Sequence, residues 1–296
     1  MSSRCVVAGG AGAVGGMLTA LLRDAGAAVT IADPAVSSDI LDPAPALADE
    51  LAAADAVVLA VPGDVAVAAL PVLAPLLRPD ALLVETLSVK GPVSAAIAAH
   101  RPGGPALGVN PMFAPDLAIA GRPVAVVTHR GGPSVDAFLE VFAGAKLVPV
   151  TAAAHDRLTA TAQALTHAAV LAFGIGLAEL DVDIAALTAL APPPCATLLG
   201  LLARISSGEP EVYWEIQADN PDAAAARAAL RGGAARLSHL VETGDRAGFE
   251  VELAGARDAL GTELRPAATA CAAVFAAMPA LHATAAALTS TEMGHR

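Results

Sequence analysis

The glycine spacing at the start of the chain constrains its fold more than any other feature. Arg4-Cys5-Val6-Val7-Ala8 is a short apolar run, and Gly9-Gly10-Ala11-Gly12-Ala13-Val14-Gly15-Gly16 follows at once. Gly10, Gly12 and Gly15 stand in the order Gly-x-Gly-x-x-Gly. An amphipathic segment comes next, then a second apolar run, Val29-Thr30-Ile31-Ala32, that ends in Asp33. Strand, glycine turn, helix, strand and terminal acid is the order of a dinucleotide-binding βαβ unit. In that reading Gly10 makes the tight turn, Gly12 lets the backbone approach a pyrophosphate, and Gly15 lets the helix lie close to the strand. Ala11, Ala13 and Val14 complete a loop whose free N–H groups face the phosphates. Asp33 stands where an acid binds both ribose hydroxyls. No Arg or Lys follows it until Arg78. A 2′-phosphate would meet a carboxylate with no local cation, so the expected cofactor is NAD rather than NADP.

Further short apolar runs at 56–60, 81–85, 106–108, 124–127 and 147–150 alternate with mostly helical patterns. This alternation implies an α/β chain with a Rossmann-type, mostly parallel, doubly wound sheet. Pro149 confines the last run to a sheet edge. Beyond residue 151 strand signals stop, and helices are expected at 155–178, 184–207, 210–219, 222–243, 246–261 and 266–288, with breaks or kinks at Pro192–Pro194 and Pro279. The division is therefore a dinucleotide-binding domain over 1–150 and an all-helical domain over 151–296. The aliphatic runs in 168–178 and 196–205 suit a helical subunit interface, hence a homodimer.

The chain is 55% hydrophobic with mean hydropathy +0.61. Its apolar stretches are nevertheless interrupted, by Asp55, by His167 and by Pro192-Pro193-Pro194, short of the roughly 18–20 clean residues that a span requires. No leader pattern precedes the first strand, and Cys5, Cys195 and Cys271 are far apart in sequence, so a cytoplasmic location without a membrane anchor or a metal site is expected. The net charge of −12 argues against nucleic acid. An anionic substrate then needs a locally built site.

Three loops converge on the carboxyl edge of the sheet, where open α/β folds bind ligands. Val61-Pro62 follows the third strand, Thr86-Leu87-Ser88-Val89-Lys90-Gly91-Pro92 the fourth, and Asn110-Pro111-Met112-Phe113 the fifth. Ser88 offers a hydroxyl to a ligand or caps the next helix. Lys90, one of two lysines, is either a solvated charge or part of the site. In the helical half His155, Thr159, Gln163 and His167 recur at every fourth residue and would share one helix face. Arg204 through Pro221 holds an arginine after an apolar run, then the sole Tyr and Trp of the chain, Tyr213 and Trp214. Glu209 or a bound carboxylate would answer the Arg204 charge.

Taken in order, these motifs resemble the prephenate dehydrogenase family over nearly the full length. The resemblance implies NAD(P)-dependent oxidation of a cyclohexadienyl ring, loss of its ring carboxylate as carbon dioxide, and dimerisation through the helical domain. It implies that Ser88 contacts the substituent on carbon 4, that Arg204 binds the ring carboxylate, and that Gln163, His167 and Tyr213 line the pocket. The glycine loop with Asp33, Val61 and Pro62 would hold the cofactor. One position departs from the family pattern. Asn110 stands where the family typically has a histidine that helps remove the 4-hydroxyl proton. Asparagine is no general base, although it donates and accepts hydrogen bonds. An amine on carbon 4 needs no such base, because its lone pair drives hydride loss. The expectation is a 4-amino substrate, with the 4-hydroxy compound or its amino-acid counterpart as the alternative.

Overall fold

The computed structural model describes residues 3–293, with side chains as far as Met278. The chain forms two compact units, Met1–Leu165 with Glu209–Ala226 and Thr166–Gly208 with Arg227–Arg296.

The first unit opens β1 (Arg4–Ala8), α1 (Ala13–Asp24), β2 (Ala28–Ala32), α2 (Pro45–Ala53), β3 (Ala56–Leu59), α3 (Gly63–Leu73), β4 (Leu82–Glu85) and α4 (Gly91–His100). It continues with β5 (Ala106–Pro111), β6 (Pro123–Arg130), α5 (Pro133–Leu139), β7 (Lys146–Pro149) and α6 (Ala152–Thr159). The strand order is β2-β1-β3-β4-β5-β6-β7, parallel except for the β5–β6 pair. Side-chain alternation explains why these runs read as continuously apolar. Val6, Ala8, Val57, Leu59 and Leu83 enter one core, while Cys5, Val7, Ala56, Val58, Leu82 and Val84 enter the other. Both faces are covered by helices, so neither needs polar residues. The expected doubly wound sheet is observed, and β7 with Pro149 is its edge.

α6 passes through a π-helical turn (Ala160–Leu165) into α7 (Thr166–Glu179). Together they form one helix of 28 residues, Ala152–Glu179, longer than expected and apolar enough by composition to cross a membrane. The second unit adds α8 (Ile184–Leu190) and α9 (Pro193–Ser206), split at Pro192 as expected. α10 (Pro210–Ala218) returns to the first unit, and α11 (Ala223–Glu242) begins there. α12 (Arg246–Leu260) and α13 (Leu264–Met293) follow. α13 continues past Pro279, where a break or kink was expected; an interior proline removes one hydrogen bond without ending a long helix. α7 packs on α9 where Gly174 faces Leu202, and a Cβ at 174 would stand 2.6 Å from the Leu202 Cδ1.

Candidate active site

The glycine loop joins β1 to α1. Its strained residue is Gly9 rather than Gly10: Gly9 has φ +75°, and a Cβ there would overlap the Ala60 carbonyl at the end of β3. Gly10 is required for a different reason, since a Cβ would lie 2.8 Å from the Ile31 Cγ2 on β2. Gly15 meets the Gly9 carbonyl so closely that no side chain fits. Gly12 caps α1 in extended conformation, without a side-chain cap and with no acid in the first turn of the helix. The orphan N–H groups of that turn and the backbone cradle fit an anionic pyrophosphate. Asp33 at the end of β2 accepts from the Ala11 amide at 3.1 Å and from the Ala35 amide at 2.9 Å. Its carboxylate thus braces the loop it was expected to accompany. Pro34, Ala35, Val36, Ser37 and Ser38 supply no cation beside it.

At the carboxyl ends of β4 and β5 a buried polar chain crosses the unit. Glu85 and Lys90 are both fully buried, with Lys90 Nζ 2.7 Å from Glu85 Oε2. Lys90 Nζ also donates to the Val109 carbonyl at 3.1 Å, immediately before Asn110. His129 Nε2 stands 3.1 Å from Glu85 Oε1. Burial pushes the Glu85 carboxyl up, but the Lys90 ammonium, His129 and the Leu87 amide outweigh it and hold it below its ordinary value. Burial pulls Lys90 down, with Glu85 opposing. Gly108, opposite Glu85 across the sheet, makes room for this carboxylate, since a Cβ would overlap Oε1. Lys90 is therefore an internal strut beside Asn110 and not the solvated charge that was one of its two readings.

The chain of contacts continues through Asp156 on α6. Asp156 Oδ1 accepts from the Lys90 amide at 2.7 Å, and Oδ2 accepts from the Gly91 amide at 2.8 Å. These are the orphan donors of α4, so Asp156 rather than Ser88 caps that helix. Ser88 is half-buried in the β4–α4 loop, relieved of the capping task. His155 Nδ1 lies 2.9 Å from Asp156 Oδ1, and His155 Nε2 lies 3.1 Å from Asn110 Nδ2. Asn110 itself is part of β5 rather than a loop, paired with Ala125 on β6. Burial raises the Asp156 carboxyl, but hydrogen bonds from His155, Lys90 and Gly91 more than reverse this.

Val61 and Pro62 lead into α3, and Pro62 caps it. The Gly63 amide donates to Glu215 Oε1 on α10 at 2.8 Å. A cavity of about 380 Å³ lies beside this contact, lined by Val67, Leu87, Val89, Pro92, Glu215 and Asp219 among others. Burial raises Glu215, the Gly63 amide opposes, and Asp219, Glu211 and Asp64 add to the rise. Gln163 sits in the π-helical turn, its Oε1 buried with no hydrogen-bond partner. Tyr213 is half-buried on α10.

Comparison with known proteins bears on this arrangement. Residues 151–254 match the model described as prephenate dehydrogenase, dimerization domain. A Streptomyces pristinaespiralis protein named 4-amino-4-deoxyprephenate dehydrogenase is 50% identical over 93% of this chain and 97% of its own length. This chain belongs to the prephenate dehydrogenase family. It is accordingly an oxidoreductase. Among solved structures, Aquifex aeolicus prephenate dehydrogenase, in complex with hydroxyphenyl propionate and NAD+, gives a TM-score of 0.66 at 18% identity, covering 90% of this chain and 98% of that one. Synechocystis arogenate dehydrogenase gives 0.61 at 20% identity, covering 86% and 99%. Both share the fold.

Within this family chain, Ser88, Asn110, Gln163 and Tyr213 belong to the first unit, and His167 and Arg204 to the second. His167 is half-buried on α7, and burial lowers its pKa. Arg204 is exposed in the last turn of α9, where its charge complements the helix C-terminus. Sequence reasoning missed Glu85, Asp156 and Glu215 and treated His155 only as part of a stripe. The local signal for Glu85 was a charge after an apolar run and for His155 and Asp156 a polar pair after three alanines, and Glu215 had none beyond its place beside Trp214.

Proposed function

We propose that this chain oxidises 4-amino-4-deoxyprephenate to 4-aminophenylpyruvate with NAD, releasing carbon dioxide. The observation that carries the reading is Asn110, a neutral amide at the buried end of β5 where the family typically places a histidine. The name of the Streptomyces relative supports it. The cradle of Gly9, Gly10, Gly12 and Gly15 fits a dinucleotide, held by Gly10, Ala11, Gly12, Ala13, Val14, Asp33, Val61 and Pro62. When bound there, NAD would supply the acceptor for the hydride of carbon 4. Once the substrate's ammonium has given a proton to water, the nitrogen lone pair forms the C4=N bond as the C4–H bond breaks. The bond from carbon 1 to its carboxylate then breaks, its electrons enter the ring, and aromaticity returns. Ser88 and Asn110 act at the carbon-4 substituent. Arg204 holds the ring carboxylate through charge-assisted hydrogen bonds, and Gln163, His167 and Tyr213 line the pocket. The working molecule is a cytoplasmic homodimer joined through the helical domain, with 1–150 as the cofactor domain and 151–296 as the substrate and dimerisation domain.

The rival substrate, prephenate or arogenate, draws on one observation: the His155 imidazole lies one hydrogen bond behind Asn110. NADH formation with both cyclohexadienyl substrates at matched concentrations decides between them. A higher kcat/KM for the amine supports the proposal, and a higher value for prephenate overturns it. Asn110→His is expected to shift the ratio toward prephenate by about tenfold or more, because it supplies the missing general base. Arg204→Ala is expected to lower kcat/KM by about tenfold or more. An unchanged value would remove Arg204 from the carboxylate site.

A further inference from the structure

The contacts of Asn110 determine which end of its amide is free. Asp156 accepts the Lys90 and Gly91 amides and is held as a carboxylate, so it offers only acceptors to His155. His155 Nδ1, 2.9 Å from Oδ1, must then carry a proton. Nε2 faces the Asn110 Nδ2 at 3.1 Å, which only donates, so Nε2 is the acceptor of the pair. Asn110 is 4% exposed and His155 2%, so neither side chain has room to exchange partners through water. No described hydrogen bond takes up Asn110 Oδ1.

We infer that His155 and Asp156 are positioning residues that lock the Asn110 amide with its carbonyl oxygen toward the nitrogen on carbon 4 of the substrate. The inference deepens the amine reading and rests on it. The chemistry requires this orientation. An amide N–H aimed at the amine would bind the nitrogen lone pair, the pair that must enter the C4=N bond. A carbonyl oxygen instead accepts an N–H and leaves the lone pair free. As positive charge grows on the nitrogen, that N–H···O bond strengthens, so the stabilisation is larger in the transition state than in the ground state. A hydroxyl substituent gains less from the lock, because its oxidation to a ketone must also remove the O–H proton, which an amide carbonyl oxygen does not take up.

The test compares wild type, His155→Leu and His155→Gln on both substrates. Leucine removes the acceptor for Asn110 Nδ2, whereas glutamine offers Oε1 in its place. With the amino substrate, His155→Leu is expected to lose about tenfold in kcat with KM within about twofold, the effect of one transition-state hydrogen bond. With prephenate the loss is expected to stay below about threefold, and His155→Gln recovers most of the amino-substrate rate. Equal losses on both substrates without recovery in His155→Gln would mean a merely structural role and overturn the inference. A wild-type preference for the amine with an unchanged substrate ratio in His155→Leu overturns it alone. A wild-type preference for prephenate overturns the amine reading as well. Should the leucine variant fail to fold, the imidazole 15N signals of wild type carry the test. A non-protonated Nε2 at His155, assigned by its loss in His155→Gln, is expected, and a protonated Nε2 overturns the inference.

Discussion

Lys90 shows how far a residue's role is set by what surrounds it. In the sequence it is a rare lysine beside Ser88 on the rim of the sheet. In the fold its ammonium is sealed against Glu85 and the Val109 carbonyl, fixing the strand one residue before Asn110. A buried pair that loses one partner leaves an uncompensated charge. Lys90→Ala is therefore expected to cost about 3–5 kcal/mol in urea unfolding, and adding Glu85→Gln is expected to recover part of it. Acid acts on the same network. Glu85 and Asp156 both have folded pKa values below their unfolded ones. The stability they contribute is complete above the unfolded carboxylate value of about 4 and is lost as pH falls through the folded values. A pH series of melting temperatures is expected to drop on the acid side, and less steeply in Asp156→Asn, whose own baseline is lower. None of these partnerships was legible locally, because Glu85, Lys90, His129 and Asp156 meet only through strand pairing and the docking of α6.

At the scale of elements, the stripe His155, Thr159, Gln163, His167 was legible as a helix but not as this helix. The π-helical turn Ala160–Leu165 interrupts it, placing an extra residue in the turn that carries Gln163. His155 and Thr159 are buried, while Gln163 and His167 are half-buried. The turn is secured from α10 and the residues after it. Gln217 donates to the Ala164 carbonyl at 2.8 Å, and Asn220 donates to the Asp156 carbonyl at 2.8 Å and to Thr159 Oγ1 at 3.2 Å. Asn220→Ala removes these two hydrogen bonds, while the Asp156 carbonyl keeps Thr159 Oγ1 and the Ala160 amide as donors, and is expected to cost about 1 kcal/mol, read by denaturant unfolding. If α6 shifts as a result, the ratio of amino to hydroxy turnover falls along with stability, because α6 carries His155. The break between α8 and α9, by contrast, was legible, since three successive prolines admit only a helix start.

At the scale of the whole molecule, the second unit leaves apolar side chains uncovered in the single chain. Ile175 is 63% exposed on α7 and Leu201 40% exposed on α9. In the homodimer proposed above these faces would be covered, with α7, the exposed part of the stretch that passes as a membrane span by composition, as a subunit contact. Ile175→Arg is expected to shift the protein toward monomer in sedimentation at low micromolar concentration; an unchanged dimer would place the contact elsewhere on the helices. The division of the chain follows the same logic of burial. α10 follows α9 in sequence, yet it belongs with the sheet, because Ile216 packs with Ala164 and Ala223 and Glu215 reaches the start of α3. From sequence alone the strands, the glycine turn, Asp33 at the end of β2 and the family membership could be read, because hydrophobic period and glycine spacing are local properties. The turn residue was misplaced by one, since only the approach of the Ala60 carbonyl shows that Gly9 bears the strain. The setting of Asn110 was decided only in three dimensions. A hydrogen bond between residues 45 positions apart depends on which helix packs over which strand, and no spacing in the chain records it.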